Sequence, residues 1–141
     1  MGSRSYRDLL VWQKSIALCK LVYLTCESFP RSELYGLASQ MQRAAVSVSS
    51  NIAEGQARQH VGEFRQFLAV ANGSLAELDT QRIIAEELAL IDHKRSPEIE
   101  ASITEIRKMI YVLRSKIVET ENSKLKTENC YEPLRTNSQQ R

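Results

Sequence analysis

Turn-formers and aromatic rings are both scarce in this sequence. Three prolines and five glycines in 141 residues leave few natural breaks, and aromatics make up only 6%. That scarcity excludes a sandwich or barrel built of many short strands and Gly/Pro-rich turns, and it leaves long helices. No apolar run is long enough to span a membrane, and none near the N-terminus has the form of a secretory signal. Met1-Gly2 does not open a myristoylation signal, because Tyr6 stands where Ser or Thr is required. A soluble, cytoplasmic chain with no membrane partner is expected.

Cysteine and histidine are equally sparse. Cys19 and Cys26 fall seven apart on one expected helix, two turns from each other, too far for a disulfide. With Cys130 in the tail and only His60 and His93 besides, no zinc spacing exists. Cys19 and Cys26 read as small core residues, and neither a metal nor another cofactor is expected. Charge of one sign is also lacking. The net charge of +2 is accounted for by Lys124, Lys126, Arg135 and Arg141 against Glu128 and Glu132, so residues 1–121 are neutral. A neutral body argues against a strongly basic nucleic-acid binder.

What is there is helical periodicity. Apolar residues are 43% of the chain, enough for one domain with a core. The spacing predicts helices over about 8–28, 33–57, 62–91 and 97–121, followed by a disordered tail over 122–141. In the first, Leu9, Trp12, Ile16, Cys19, Tyr23 and Cys26 recur at steps of three and four, with Ala17, Leu21 and Leu24 widening that seam. Phe29-Pro30 ends it. The second begins near Ser32 as N-cap with Glu33 in the first turn. Its stripe is Leu34, Leu37, Met41, Ala44, Val48 and Ile52. The third aligns Phe64, Phe67, Leu68, Ala71, Leu75, Leu78, Ala85 and Leu88. Ser96-Pro97-Glu98 reads as N-cap, Pro at the first helical position and a dipole-matched acid. The fourth repeats Ile99, Ile103, Ile106, Ile110, Leu113 and Ile117. Four helices of roughly 30 Å with short loops are expected to form an all-α, antiparallel, up-down-up-down bundle.

The segment from Leu34 to Ala53 carries one charge, Arg43, whereas 26% of the chain is charged. A helix packed on one side only shows water a charged back, so this one is expected to be covered on more than one side. At about 100° per residue, Gln40, Arg43, Ser47, Asn51, Glu54 and Arg58 share one narrow arc away from the apolar stripe. Ala38, Gln42, Ala45, Val46 and Ser49 form a third arc of mostly small residues. The polar row can be satisfied by bonds back to its own helix, or it can be an assembly or ligand surface. A solvent-facing row should be richer in Lys and Glu, which favours the second reading. Gly73, inside the third helix, is expected to have something packed against it.

The run from Gln40 to Gly55, QMQRAAVSVSSNIAEG, resembles the signature of the 23S ribosomal RNA intervening-sequence proteins, also called four helix bundle proteins. Leu10-Val11-Trp12-Gln13-Lys14 is similar to that family's opening. So are Phe29-Pro30 with Glu33, Tyr35, Gly36 and Leu37, and Gly73-Ser74-Leu75-Ala76-Glu77-Leu78 with Thr80-Gln81. The resemblance implies a left-handed four-helix bundle, a ring-shaped homo-oligomer, most often a pentamer, and no enzyme. A related group is the accessory variability protein of diversity-generating retroelements, a basic ring that binds a reverse transcriptase and nucleic acid. This chain departs twice: Gln42-Arg43 stands where two adjacent basic residues are usual, and Arg82 where an apolar residue is common.

No catalytic pattern stands out. There is no phosphate loop and no paired histidine on a helix face, and Ser47, Ser49 and Ser50 have no histidine at a suggestive spacing. No small-molecule substrate is evident. Glu86-Glu87 beside Asp92-His93 reads as a solvated helix end. For an RNA or ribonucleoprotein partner the candidates are Arg43, Arg58, Arg65, Arg107, Lys108, Arg114 and Lys116, diluted by Glu100, Glu105, Glu119 and Glu121. The expected function is a non-enzymatic assembly module, with a nucleic-acid accessory as the alternative.

Overall fold

The structure, a computed structural model, describes residues 5–129. Among them are four α-helices and no strand: α1 (Leu10–Cys26), α2 (Leu37–Ala57), α3 (Val61–Glu87) and α4 (Arg95–Asn129). Short 3-10 turns at Tyr6–Asp8 and Arg31–Glu33 precede α1 and α2. Each helix packs on two others, α1 on α2 and α4, and α3 on α2 and α4. One core runs through all four. Met41, Val48 and Ile52 meet Leu68, Leu75, Leu78 and the isoleucines of α4, all 2% exposed or less apart from Ile117.

The sequence pattern holds for the cores of α2 and α4 and needs correction on α1. The buried face of α1 is Val11, Ser15, Leu18, Val22, Thr25 and Cys26. Ile16 and Tyr23, expected in the seam, are exposed. Two hydroxyls disguise the true face: Ser15 donates to the Trp12 carbonyl at 2.6 Å and Thr25 to the Leu21 carbonyl at 2.7 Å. Bonded back to the helix, they are buried at little cost, whereas a hydropathy pattern reads them as surface.

Helix ends differ as well. Ser32 does not cap α2. The N-cap position is Gly36, and Glu33 Oε2 of the preceding turn accepts from the Leu37 amide at 3.3 Å. Gly36 leaves room for that carboxylate, since a Cβ there would lie 3.1 Å from it. Leu34 falls before the helix and is exposed. α3 ends at Glu87, four residues before the expected Ile91, and Leu88 is 59% exposed. The stop is a Schellman turn: the Leu90 amide donates to the Ala85 carbonyl at 2.8 Å and Ala89 to Glu86 at 3.0 Å. It places Ala89 at φ 54°, in the left-handed region.

Ser96 is no N-cap either. α4 begins at Arg95, and the fully buried Ser96 hydroxyl accepts from Arg82 Nη1 at 2.9 Å. Arg82, where an apolar residue was the family expectation, is 5% exposed and paired with Asp79 at 2.9 Å and Glu86 at 3.2 Å, with Glu100 of α4 at 3.8 Å. The buried guanidinium is therefore compensated and ties α3 to the start of α4. α4 also runs past the expected boundary at 121. Residues 122–129 are helical, and the side chains of 122–127 are exposed. Good helix formers, Lys124, Leu125 and Lys126, favour its continuation without a core, and the hydroxyls of Ser123 and Thr127 bond back one turn to the Glu119 and Ser123 carbonyls. The rest of the expected tail, with Cys130, lies outside the described residues.

α2 and α3 approach closely at Gly55. A Cβ there would meet Phe67 Cβ at 2.5 Å and Phe64 Cδ2 at 3.0 Å. The nearer of those atoms is fixed by backbone and cannot rotate away. Two substitutions should therefore act in opposite directions. Gly55→Ala gains helix propensity but overpacks, for a net loss of about 1–2 kcal/mol. Ala89→Gly relieves a left-handed alanine and should stabilise by about 1 kcal/mol. Urea denaturation followed by circular dichroism measures both.

Candidate functional site

The polar row of α2 lies along its junction with α3. Ser47, half-buried, shares a hydrogen bond of 2.8 Å with Ser74 Oγ of α3. Asn51 Nδ2 donates to the Ser47 carbonyl at 2.7 Å and to Ser47 Oγ at 3.0 Å, while Ser74 donates to the Val70 carbonyl at 3.2 Å. The centre of the row is thus a bonded polar cluster between two helices. Small side chains on both sides allow it.

The ends of the row are solvated. Glu54 and Arg58 pair at 3.1 Å, one turn apart and both about half exposed, which contributes about 0.3–0.5 kcal/mol. The Arg58 guanidinium also sits over the Phe67 ring, 5.5 Å from its centroid. Gln40 and Arg43 are exposed, and among the described residues no ion pair involves Arg43. Part of the third arc of α2 is buried, while Val46 of the same arc is exposed. Ala38, Ala45 and Ser49 are buried there, and Cys26 Sγ reaches the Ala38 carbonyl at 3.8 Å. Burial pushes the Cys26 thiol up to about 11 and raises Cys19 as well. Both remain protonated at neutral pH, which denies them a nucleophile's role.

The basic candidates do not converge. Arg65 and Arg114 line a crevice between α3 and α4 together with Glu63 and Glu121. Lys108 and Lys116 face the opposite flank of α4, beside an apolar groove of about 390 Å³ formed with Leu9, Leu10, Met109 and Val112. Arg107 is exposed, and Arg114 and Lys108 line different flanks of α4. Lys14 and Glu105, 3.2 Å apart, neutralise part of the α1–α4 side. Among the described residues no three of His, Cys, Asp and Glu gather as a metal site. No helix there is long and apolar enough to cross a membrane.

Sequence reasoning missed the α3 half of this region. From Gln66 to Ala76 the chain has no charge at all, a signal as plain as that of α2. On α3, Val70 is 53% and Ile84 44% exposed, and Gly73 is exposed too. Among the described residues, nothing packs against Gly73. A Cβ built there meets no atom within 4 Å. With Val46 of α2 also 40% exposed, the two helices present water with a face poor in charge.

The chain is similar over residues 7–112 to the family described as 23S rRNA-intervening sequence protein. It is also similar to the crystal structure of a protein of unknown function from the S23 ribosomal protein family of Bacteroides thetaiotaomicron. That likeness has a TM-score of 0.68 at 21% identity, covering 74% of this chain and 98% of the other, and it shows a shared fold. No curated protein matches. The residues of α4 beyond 112, including the exposed helical extension, fall outside the family match. Because that match spans most of the sequence and all of α1, α2 and α3, this chain belongs to the 23S rRNA-intervening sequence protein family.

Proposed function

We propose that this chain is a non-enzymatic assembly module, a left-handed, up-down-up-down antiparallel bundle whose copies close into a ring, with five subunits favoured by the family resemblance. The antiparallel course is supported by pairs that join the end of one helix to the start of the next. Cys26 meets Ala38, Gly55 meets Phe67 and Arg82 meets Ser96, while Ser47 and Ser74 meet at mid-helix. Handedness, ring closure and subunit number rest on the family resemblance. The cytoplasm is the proposed location.

One observation carries the assembly reading: the exposed sides of α2 and α3 hold Val46, Ser50, Val70 and Gly73 where a solvated bundle would show Lys and Glu. Such a face is inexpensive to desolvate and gains apolar burial on contact, about 25 cal/mol per Å².

A second reading has its own support. Arg65 and Arg114 lie in one crevice, and among the described residues neither has an ion pair. Repeated around a ring, that pair would offer phosphate several contacts. The relation to retroelement accessory proteins, and an RNA or ribonucleoprotein partner, belong to this reading.

Two measurements separate the readings. Arg43→Glu breaks no ion pair or side-chain hydrogen bond among the described residues, so it should lower the mass seen by light scattering while circular dichroism stays unchanged. An unaltered mass would count against assembly through α2. The nucleic-acid reading expects binding to structured RNA at about 50 mM salt that weakens steeply as salt rises, through counterion release. Absence of binding at that salt removes it.

A further inference from the structure

The crevice between α3 and α4 gathers groups that favour an anion. On α3, Gly62, Arg65, Gln66 and Ala69 line it, residues that steps of three and four set on one face. On α4, Arg114 and Glu121 line it, seven residues apart and so on one side of the helix. Among the described residues no ion pair includes Arg65 or Arg114, although two carboxylates, Glu63 and Glu121, line the same crevice. Arg114 is half-buried, and its Nε is buried with no hydrogen-bond partner among the described residues. An N–H so placed is costly until an acceptor reaches it.

The start of α3 adds to this. Its N-cap, His60, supplies no side-chain hydrogen bond, so no side chain caps the first turn. Gly62 and Glu63 of that turn line the crevice, and the positive end of the helix dipole therefore borders the two arginines. A carboxylate of the chain already leans toward this point. Glu121 Oε1 stands 3.8 Å from where a Cβ on Gly62 would lie.

We propose that this crevice binds a single phosphate group between Arg65, Arg114 and the start of α3, with Glu121 at its edge as a competing anion. The proposal takes its two arginines from the nucleic-acid reading and goes beyond it, since the phosphate can be free or can end an RNA chain. Each guanidinium presents a planar fork to two oxygens, and a helix N-terminus suits a further one. A terminal phosphate supplies three acceptor oxygens and about two negative charges, where a carboxylate has two oxygens and one charge. A continuous phosphate backbone fits less well. Glu63 and Glu121 would repel the phosphates on either side of the bound one.

The test is isothermal titration calorimetry of the full-length chain with inorganic phosphate, and with an RNA hairpin ending in either a phosphate or a hydroxyl. Wild type is compared with Arg65→Gln, Arg114→Gln and Glu121→Gln, with circular dichroism on each. Inorganic phosphate should bind the wild type, each arginine variant should weaken that binding about tenfold, and Glu121→Gln should tighten it. Arg65 is exposed, so Arg65→Gln decides should Arg114→Gln fail to fold. Tighter binding of the phosphate-ended hairpin than of the hydroxyl-ended one, lost in the arginine variants, supports an RNA end as the source. Binding of inorganic phosphate with neither hairpin bound supports a free phosphate and overturns the nucleic-acid reading alone. Hairpin binding indifferent to the end group and to both arginine variants overturns this proposal and leaves the nucleic-acid reading standing. A wild type that binds no phosphate, or binds it as well as both arginine variants do, overturns the proposal outright.

Discussion

The approach of α2 to α3 at Gly55, where one added carbon would lie 2.5 Å from Phe67 Cβ, holds these helices at a separation only small residues permit. Everything at the α2–α3 junction inherits that spacing. Ser47 and Ser74 can share a bond because their helices are close enough for hydroxyls to touch. Large ionic side chains would have no room along the same line, so they are absent from the centre of the junction and appear at its ends, as Glu54 and Arg58. The composition of α2 is in this sense a consequence of helix spacing.

That consequence reaches the surface. Small residues at a junction leave a flat face on its outer side, and a flat face without charge is poorly solvated. In a lone bundle such a face has little to recommend it. Between protomers it is useful, because desolvation costs little and backbones can meet. Elsewhere the molecule treats charge conventionally. Buried Arg82 is surrounded by three carboxylates and a hydroxyl, Lys14 is paired across helices, and the candidate cations of α4 divide between two flanks. The α2–α3 face departs from this pattern.

Much of the fold was legible because aliphatic residues announce their period. Ile99, Ile103, Ile106, Ile110 and Ile117 are all buried as their spacing predicts, and so are Met41, Ala44, Val48 and Ile52. The errors arose where polarity and burial part company. Ser15 and Thr25 are buried because each bonds back to its own helix, and they shifted the expected face of α1. Helix ends differ from the pattern where the cap falls at an unexpected residue, Gly36 instead of Ser32, or where an alanine takes the left-handed position that glycine usually marks. The candidate row on α2 was placed by angle alone, which puts Ser47 and Asn51 together but cannot say that Ser74 completes them. Distances between helices are not written in a periodic pattern. The uncharged run of α3 was available in the sequence and complements that of α2.

The account stands or falls on whether the α2–α3 face is covered in solution. Native mass spectrometry of the wild-type chain at micromolar concentration tests this most directly. The account predicts a closed assembly at a small integer multiple of the 16.1 kDa chain, with little free protomer. A single species at 16.1 kDa, persisting as concentration rises, would contradict it.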